Sequence, residues 1–130
     1  MFSLYHVTER ASLDNIQRKG LRSRTCFSTE AFVDYYAEDF SDPIVLRIDL
    51  ADEEDVNKNF IPDINSVEEP ILSCIEGYDT EEDIWDAWEG SSCDALSSLQ
   101  IVGSVRTNSI IPYSKISDVE EIDDFSPPIP

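Results

Sequence analysis

The sequence predicts a single α+β domain, and three features carry that prediction. Two stretches, FSLYHV and PIVLRIDL, alternate apolar and polar residues with the period of two expected of half-buried strands. Two others, SLDNIQRKGL and TEEDIWDAWEG, carry the capping and charge signals that open and close short helices. The chain has 130 residues, of which 41% are apolar, enough for one hydrophobic core without disulfide or metal staples.

In the first strand Phe2, Leu4 and His6 share one face, and Ser3, Tyr5 and Val7 the other. Ser12 then offers a cap to a helix with Asp14 in its first turn, Arg18 and Lys19 in its last and Gly20 at its end; Leu13 and Ile16 supply its apolar stripe. A basic connector leads to CFSTEAFVDYYAEDF, which predicts a short extended piece, Thr29 as a cap, and a helix carrying Phe32, Tyr35 and Tyr36. The clearest strand follows, with Ile44, Leu46, Ile48 and Leu50 alternating against Val45, Arg47 and Asp49.

From residue 51 to 80 the acids, Pro62 and Pro70 interrupt any long periodicity, which predicts short elements within irregular chain. Thr80 caps the next helix, with three acids in its first turn and Ile84, Trp85 and Trp88 on one side. SLQIVGSVRTNSIIPYSKI predicts a strand from Leu99 to Val105 and a further extended piece near Ile110, ended by Pro112. The domain so read spans residues 1–116. Residues 117–130, SDVEEIDDFSPPIP, form an acidic, proline-rich tail with too little apolar content to hold itself in a core.

Charge narrows the function classes. The net charge is −19, and the segment from Glu30 to Gln100, with 21 acids against Arg47 and Lys58, carries all of it. Arg10, Arg18, Lys19, Arg22 and Arg24 cluster before it. Such a surface repels nucleic-acid phosphates, so direct nucleic-acid binding is not expected, whereas a basic protein partner is. No apolar run approaches the roughly 20 residues of a membrane-spanning helix. Cys26, Cys74 and Cys93 are odd in number and widely spaced, which suits free thiols in the cytoplasm better than a disulfide framework; the N-terminus has no secretory pattern. The oligomeric state is not legible.

Most catalytic motifs are absent. No phosphate-binding glycine loop, HExxH or GxSxG occurs, and the single histidine, His6, is the sole base available for a Ser-His or Cys-His pair. The runs DEED and TEED lack the spacing of a calcium loop and read as solvated faces, so no metal site is expected.

The order of short motifs is more informative than any one of them. LYHVT on the first strand, a helix ending KGL, then FST, a helix with paired tyrosines, a strong strand and finally IIPYSKI resemble the ADP-ribosyltransferase superfamily over about residues 4–116. The resemblance implies a split mixed or antiparallel sheet flanked by short helices, and NAD as cofactor. It implies that His6 hydrogen-bonds a ribose, that Phe27, Ser28 and Thr29 form the second-strand segment beside the cofactor, and that Tyr35 or Tyr36 stacks on nicotinamide. Thr8 belongs to the same first-strand motif, and Arg22 and Arg24 are placed to meet the pyrophosphate. The chemistry fits these residue types, because breaking the nicotinamide–ribose bond builds positive charge on the sugar, which positioning and a nearby carboxylate stabilise. The family's third position should fall in LQIVGSVRT, which contains no acid; Gln100 or Ser104 stands in its place, and Glu89 and Asp94, the nearest upstream carboxylates, require a shifted alignment.

Two readings follow. In one the chain is a small mono-ADP-ribosyltransferase-like enzyme that modifies a protein or nucleotide. In the other it is a catalytically degenerate, acidic binding module that inhibits a basic nucleic-acid-handling partner by presenting carboxylates in place of phosphates, as in phage counter-defence.

Overall fold

A computed structural model describes residues 2–122. Its centre is a six-stranded sheet of order β4-β5-β2-β1-β3-β6, with β1 at Phe2–Glu9, β2 at Cys26–Ser28, β3 at Pro43–Leu50, β4 at Phe60–Pro62, β5 at Ser104–Thr107 and β6 at Asp118–Glu121. Every pairing is antiparallel. Short helices cover it: α1 at Leu13–Lys19, α2 at Val33–Ala37, α3 at Glu53–Asn59, α4 at Ile64–Glu68, α5 at Glu81–Glu89 and α6 at Ala95–Val102. The α+β prediction and the antiparallel sheet are therefore observed.

The alternation in β1 and β3 sorts as the sequence predicts. Leu4, Ile44, Leu46, Ile48 and Leu50 join Phe27, Val105, Ile16 of α1 and Val56 of α3 in the main core. Val7 and Val45 face the other way and pack with Val33 of α2. A third cluster, Val67, Ile84, Trp88, Ile101 and Val102, ties α4, α5 and α6 together. Both sides of the sheet centre are thus covered at Ile44, Val45 and Leu46, which are all fully buried, while Arg47 and Asp49 keep the polar alternation beyond them.

Local signals explain most helix ends. Asp52, Thr80 and Asp94 each accept a backbone N–H three residues on, at the starts of α3, α5 and α6. Gly20 ends α1 at φ +76°, where an added Cβ would collide with the Ile111 carbonyl oxygen. Ser12 and Thr29 make no side-chain cap, because 3-10 turns over Arg10–Ser12 and Glu30–Phe32 lead directly into α1 and α2.

Two expectations are corrected. The strand predicted from Leu99 to Val105 begins only at Ser104, and residues up to Val102 belong to α6. The apolar run is too short for periodicity to distinguish strand from buried helix, and the Asp94 cap with the left-handed Gly103 stop decides for helix. The segment after residue 116 does not start as a loose tail: β6 pairs Asp118–Glu121 against Ile44–Arg47 of β3, and Val119 packs on the core. The acidic, proline-rich end of that tail, residues 123–130, lies outside the described residues. The extended piece near Ile110 is a single bridge between Leu21 and Ile111. No helix among the described residues is long and apolar enough to cross a membrane.

Candidate functional site

The sheet is not uniformly knitted. β1 pairs with β3 at eight positions, yet it meets β2 only where Tyr5 faces Ser28. Within this one continuous sheet a seam of a single paired position therefore joins β4-β5-β2 to β1-β3-β6.

His6 sits at this seam. Its Nδ1 lies 2.8 Å from the Cys26 carbonyl oxygen, and because a carbonyl only accepts, Nδ1 carries the proton. Neutral imidazole then leaves Nε2 as an acceptor, and no residue among those described bonds to it. Burial lowers the His6 pKa, and the Cys26 hydrogen bond opposes that shift without cancelling it, so the ring is neutral at neutral pH. The ring lies beside Phe27, with centroids 5.6 Å apart. Alternation places His6 with Leu4 and Leu46 on the main-core side, so it reaches the seam from the face opposite α2.

Against the seam lies a cavity of about 120 Å³, lined by Tyr5, His6, Cys26, Ser28, Tyr36 and Asp39 and floored by Val7 and Phe40. Tyr36 makes two ring contacts: it stacks on Phe32 with centroids 5.8 Å apart and meets Tyr35 edge-on at 5.5 Å. Its hydroxyl and the Cys26 thiol are neighbours that influence each other's titration. Burial is the main cause of a raised Tyr36 pKa and pushes the Cys26 thiol up to about 12. Cys26 is thus a neutral wall, not a thiolate nucleophile. Burial also raises Tyr5, assisted by the charges of Glu30 and Glu120. Asp39, exposed at the mouth, is the carboxylate that lines this cavity.

Behind Cys26 lies a buried polar cluster that the sequence analysis did not single out. Asp63 is 1% exposed; its Oδ1 accepts from Arg106 Nε at 3.1 Å, and its Oδ2 accepts from the Ser66 and Ser104 hydroxyls at 2.8 and 2.9 Å. The Cys26 sulfur lies 3.7 Å from the same oxygen. Ser98 completes the set, accepting the Asp63 N–H at 3.0 Å and donating to the Ser104 carbonyl at 2.7 Å. Burial alone would raise the Asp63 pKa, but the two hydroxyls and the guanidinium outweigh it and hold the carboxyl below the usual range. The only local sign was an aspartate followed three residues later by serine in PDINS, which is common before any short helix.

The sequence-derived residues divide by location. His6, Ser28 and Tyr36 converge on the seam cavity. Phe27 is fully buried beneath it, and Thr8 continues β1 beyond it. Tyr35 is 44% exposed and touches the cavity only through its contact with Tyr36. Gln100 is exposed on α6 instead of a strand and lines a separate cavity with Thr29 and Gly103. Arg22 lies with Lys19 along a groove beside Leu21 and Ile110, away from the seam. Among the described residues, no group of three or more histidines, cysteines and acids is arranged to hold a metal ion.

Comparison with protein-family models and with curated proteins found no match to this chain.

Proposed function

We propose that the seam cavity binds NAD and that the chain is an ADP-ribosyltransferase-like protein acting on a protein or nucleotide target. One observation carries this reading: the first-strand histidine, the second-strand serine and a helix tyrosine, far apart in sequence, line one cavity. The cavity is smaller than the roughly 300 Å³ of ordinary ligand pockets, so it suits one ring-sized group and not a whole dinucleotide. Its aromatic and aliphatic lining fits a nicotinamide ring, with Tyr36 as the stacking partner.

When bound, NAD would supply an activated bond between nicotinamide and ribose. The chain's contribution would be to hold and polarise. Neutral His6 accepts a ribose hydroxyl at Nε2, Ser28 offers a second hydroxyl contact, and Asp39 places negative charge at the mouth, in the role for which residues 99–107 offer no acid.

Thermal unfolding with added NAD tests the binding step, because a ligand that prefers the folded state raises the melting temperature. The expected result is a rise that His6→Ala and Tyr36→Ala abolish, with Asp39→Asn retaining the rise while losing transfer of labelled ADP-ribose. No rise at millimolar NAD would remove this reading.

A second reading, an acidic module that binds a basic nucleic-acid-handling protein, is favoured by unpaired charge. Among the described residues the ion pairs use only Arg10, Arg47 and Arg106 as cations, leaving most acids of the 30–100 segment without a base. Its signature is association with a basic protein that weakens steeply with salt and ignores NAD.

A further inference from the structure

Helix α5 places its two tryptophans differently. Trp88 is 6% exposed in the cluster with Ile84 and Val102, whereas Trp85 stands 43% exposed. Beside Trp85 runs a groove of about 380 Å³ lined by Val67, Glu68, Glu81, Glu82 and Trp85. Glu81 and Glu82 lie four and three residues before Trp85, so helical geometry sets both carboxylates on its flank. Glu68 approaches from the end of α4.

Helix electrostatics accounts for only part of this arrangement. First-turn acids are favourable at the start of α5, which explains Glu81 and Glu82. Glu68 stands at the other end of its helix, where the dipole disfavours an anion. None of the three carboxylates meets a lysine or arginine among the described residues, and Trp85 remains substantially exposed. An accessible indole ringed by unpaired carboxylates matches the two attractions a desolvated cation seeks, the ring quadrupole and opposite charge.

We propose that this groove docks a lysine- or arginine-bearing segment of a basic partner protein, with Trp85 stacking on the cationic group and Glu68, Glu81 and Glu82 neutralising it. A second copy of this chain is disfavoured as occupant, since two molecules at −19 repel each other. The proposal rests on the basic-partner reading and assigns it a place; it needs nothing from the NAD site.

Binding of fluorescent oligoarginine, followed by anisotropy at moderate salt, tests both levels. Trp85→Ala should weaken binding about tenfold and Trp85→Phe less, because a smaller ring still attracts a cation. Glu81→Gln with Glu82→Gln should weaken it severalfold. The matched control is Glu53→Gln with Glu54→Gln, which removes the same charge from the same first-turn positions of α3 and should change binding less than about twofold. Equal losses from both glutamine pairs, or none from Trp85→Ala, would overturn the groove while leaving diffuse acidic binding intact. No salt-dependent oligoarginine binding by the wild type would remove the basic-partner reading itself. Sedimentation showing a dimer that Trp85→Ala dissolves would replace the foreign partner with a second copy. Should Trp85→Ala lose its helical circular dichroism, the two glutamine pairs still decide.

Discussion

The two halves of the sheet share one apolar core, to which β4-β5-β2 contributes Phe27, Phe60 and Val105, but that half adds a buried carboxylate, Asp63. In β1-β3-β6 the long β1–β3 ladder runs through Leu4, Ile44, Leu46 and Val45, all at most 1% exposed, and cohesion comes from apolar burial on both faces. In β4-β5-β2 the β4 and β2 ladders on β5 are three positions long, and the shared core is supplemented by Asp63 with its four side-chain donors and the Ser98–Ser104 link. Apolar burial is tolerant in direction, whereas a buried carboxylate is stable only while each partner stays in place. The seam forms where these two constructions meet, and the cavity opens there because one paired position leaves β1 and β2 free to part.

Breaking the apolar core should cost most. Leu46→Ala is expected to destabilise by about 4 kcal/mol, since a fully buried leucine leaves a cavity as well as losing transfer energy. Urea unfolding measures it, and a loss under about 1 kcal/mol would show that β3 is not the cohesive centre.

The buried carboxylate comes next. Asp63→Ala should cost about 3 kcal/mol, at the lower end for a broken buried pair because Arg106, about one-third exposed, regains water. Asp63→Asn should recover part of that loss, as an amide oxygen still accepts from Arg106. If the asparagine is no better than the alanine, hydrogen bonding is not what Asp63 adds to this half.

The seam is best probed by pH. Burial lowers the His6 pKa from its unfolded value of 6.5, so the unfolded chain takes up a proton that the folded chain resists. Stability is retained above about pH 6.5 and falls as pH drops below it, until the lowered folded pKa is reached. His6→Gln should remove a slope of at most about 1.4 kcal/mol per pH unit. Urea midpoints at neutral pH and about one unit below the unfolded pKa, for both proteins, test the sign; identical slopes would mean that the ring is solvated.

The smallest effect is expected at the sheet edge. Around Arg47 gather Asp49, Asp118 and Glu120, and the second oxygen of Glu120 is buried without a hydrogen-bond partner among the described residues. Glu120→Gln removes one of three like charges and keeps an acceptor for Arg47, so stability should move by less than about 0.5 kcal/mol. A large loss would make this ion cluster a structural support of β6.

Legibility followed the range of the signal. The strand alternation of Leu4 and Leu46, the Thr80 cap and the Gly20 stop are written within a few residues and could be read directly. The helix through Gln100 was misread because SSLQIV suits either a short helix or a strand, and the deciding Asp94 cap lies several residues upstream. Edge strand β6 was missed because its acids discourage a strand reading, while its stability comes from pairing with β3 and from Arg47. Of the site, His6, Ser28 and Tyr36 were legible as motifs, and Asp39 and Asp63 were not, since aspartates are too numerous here for any single one to stand out.

By itself the chain determined its α+β class, the two apolar strands, most helix ends and an acidic surface with basic residues gathered near its start, because capping and alternation act over one or two turns and charge is additive. Only the tertiary structure decided that Asp63 meets Arg106, that His6 and Tyr36 share a cavity, and that Trp85 faces water while Trp88 does not. Those outcomes depend on contacts across tens of residues, where competing packings of short polar and aromatic side chains are separated only once the whole core has formed.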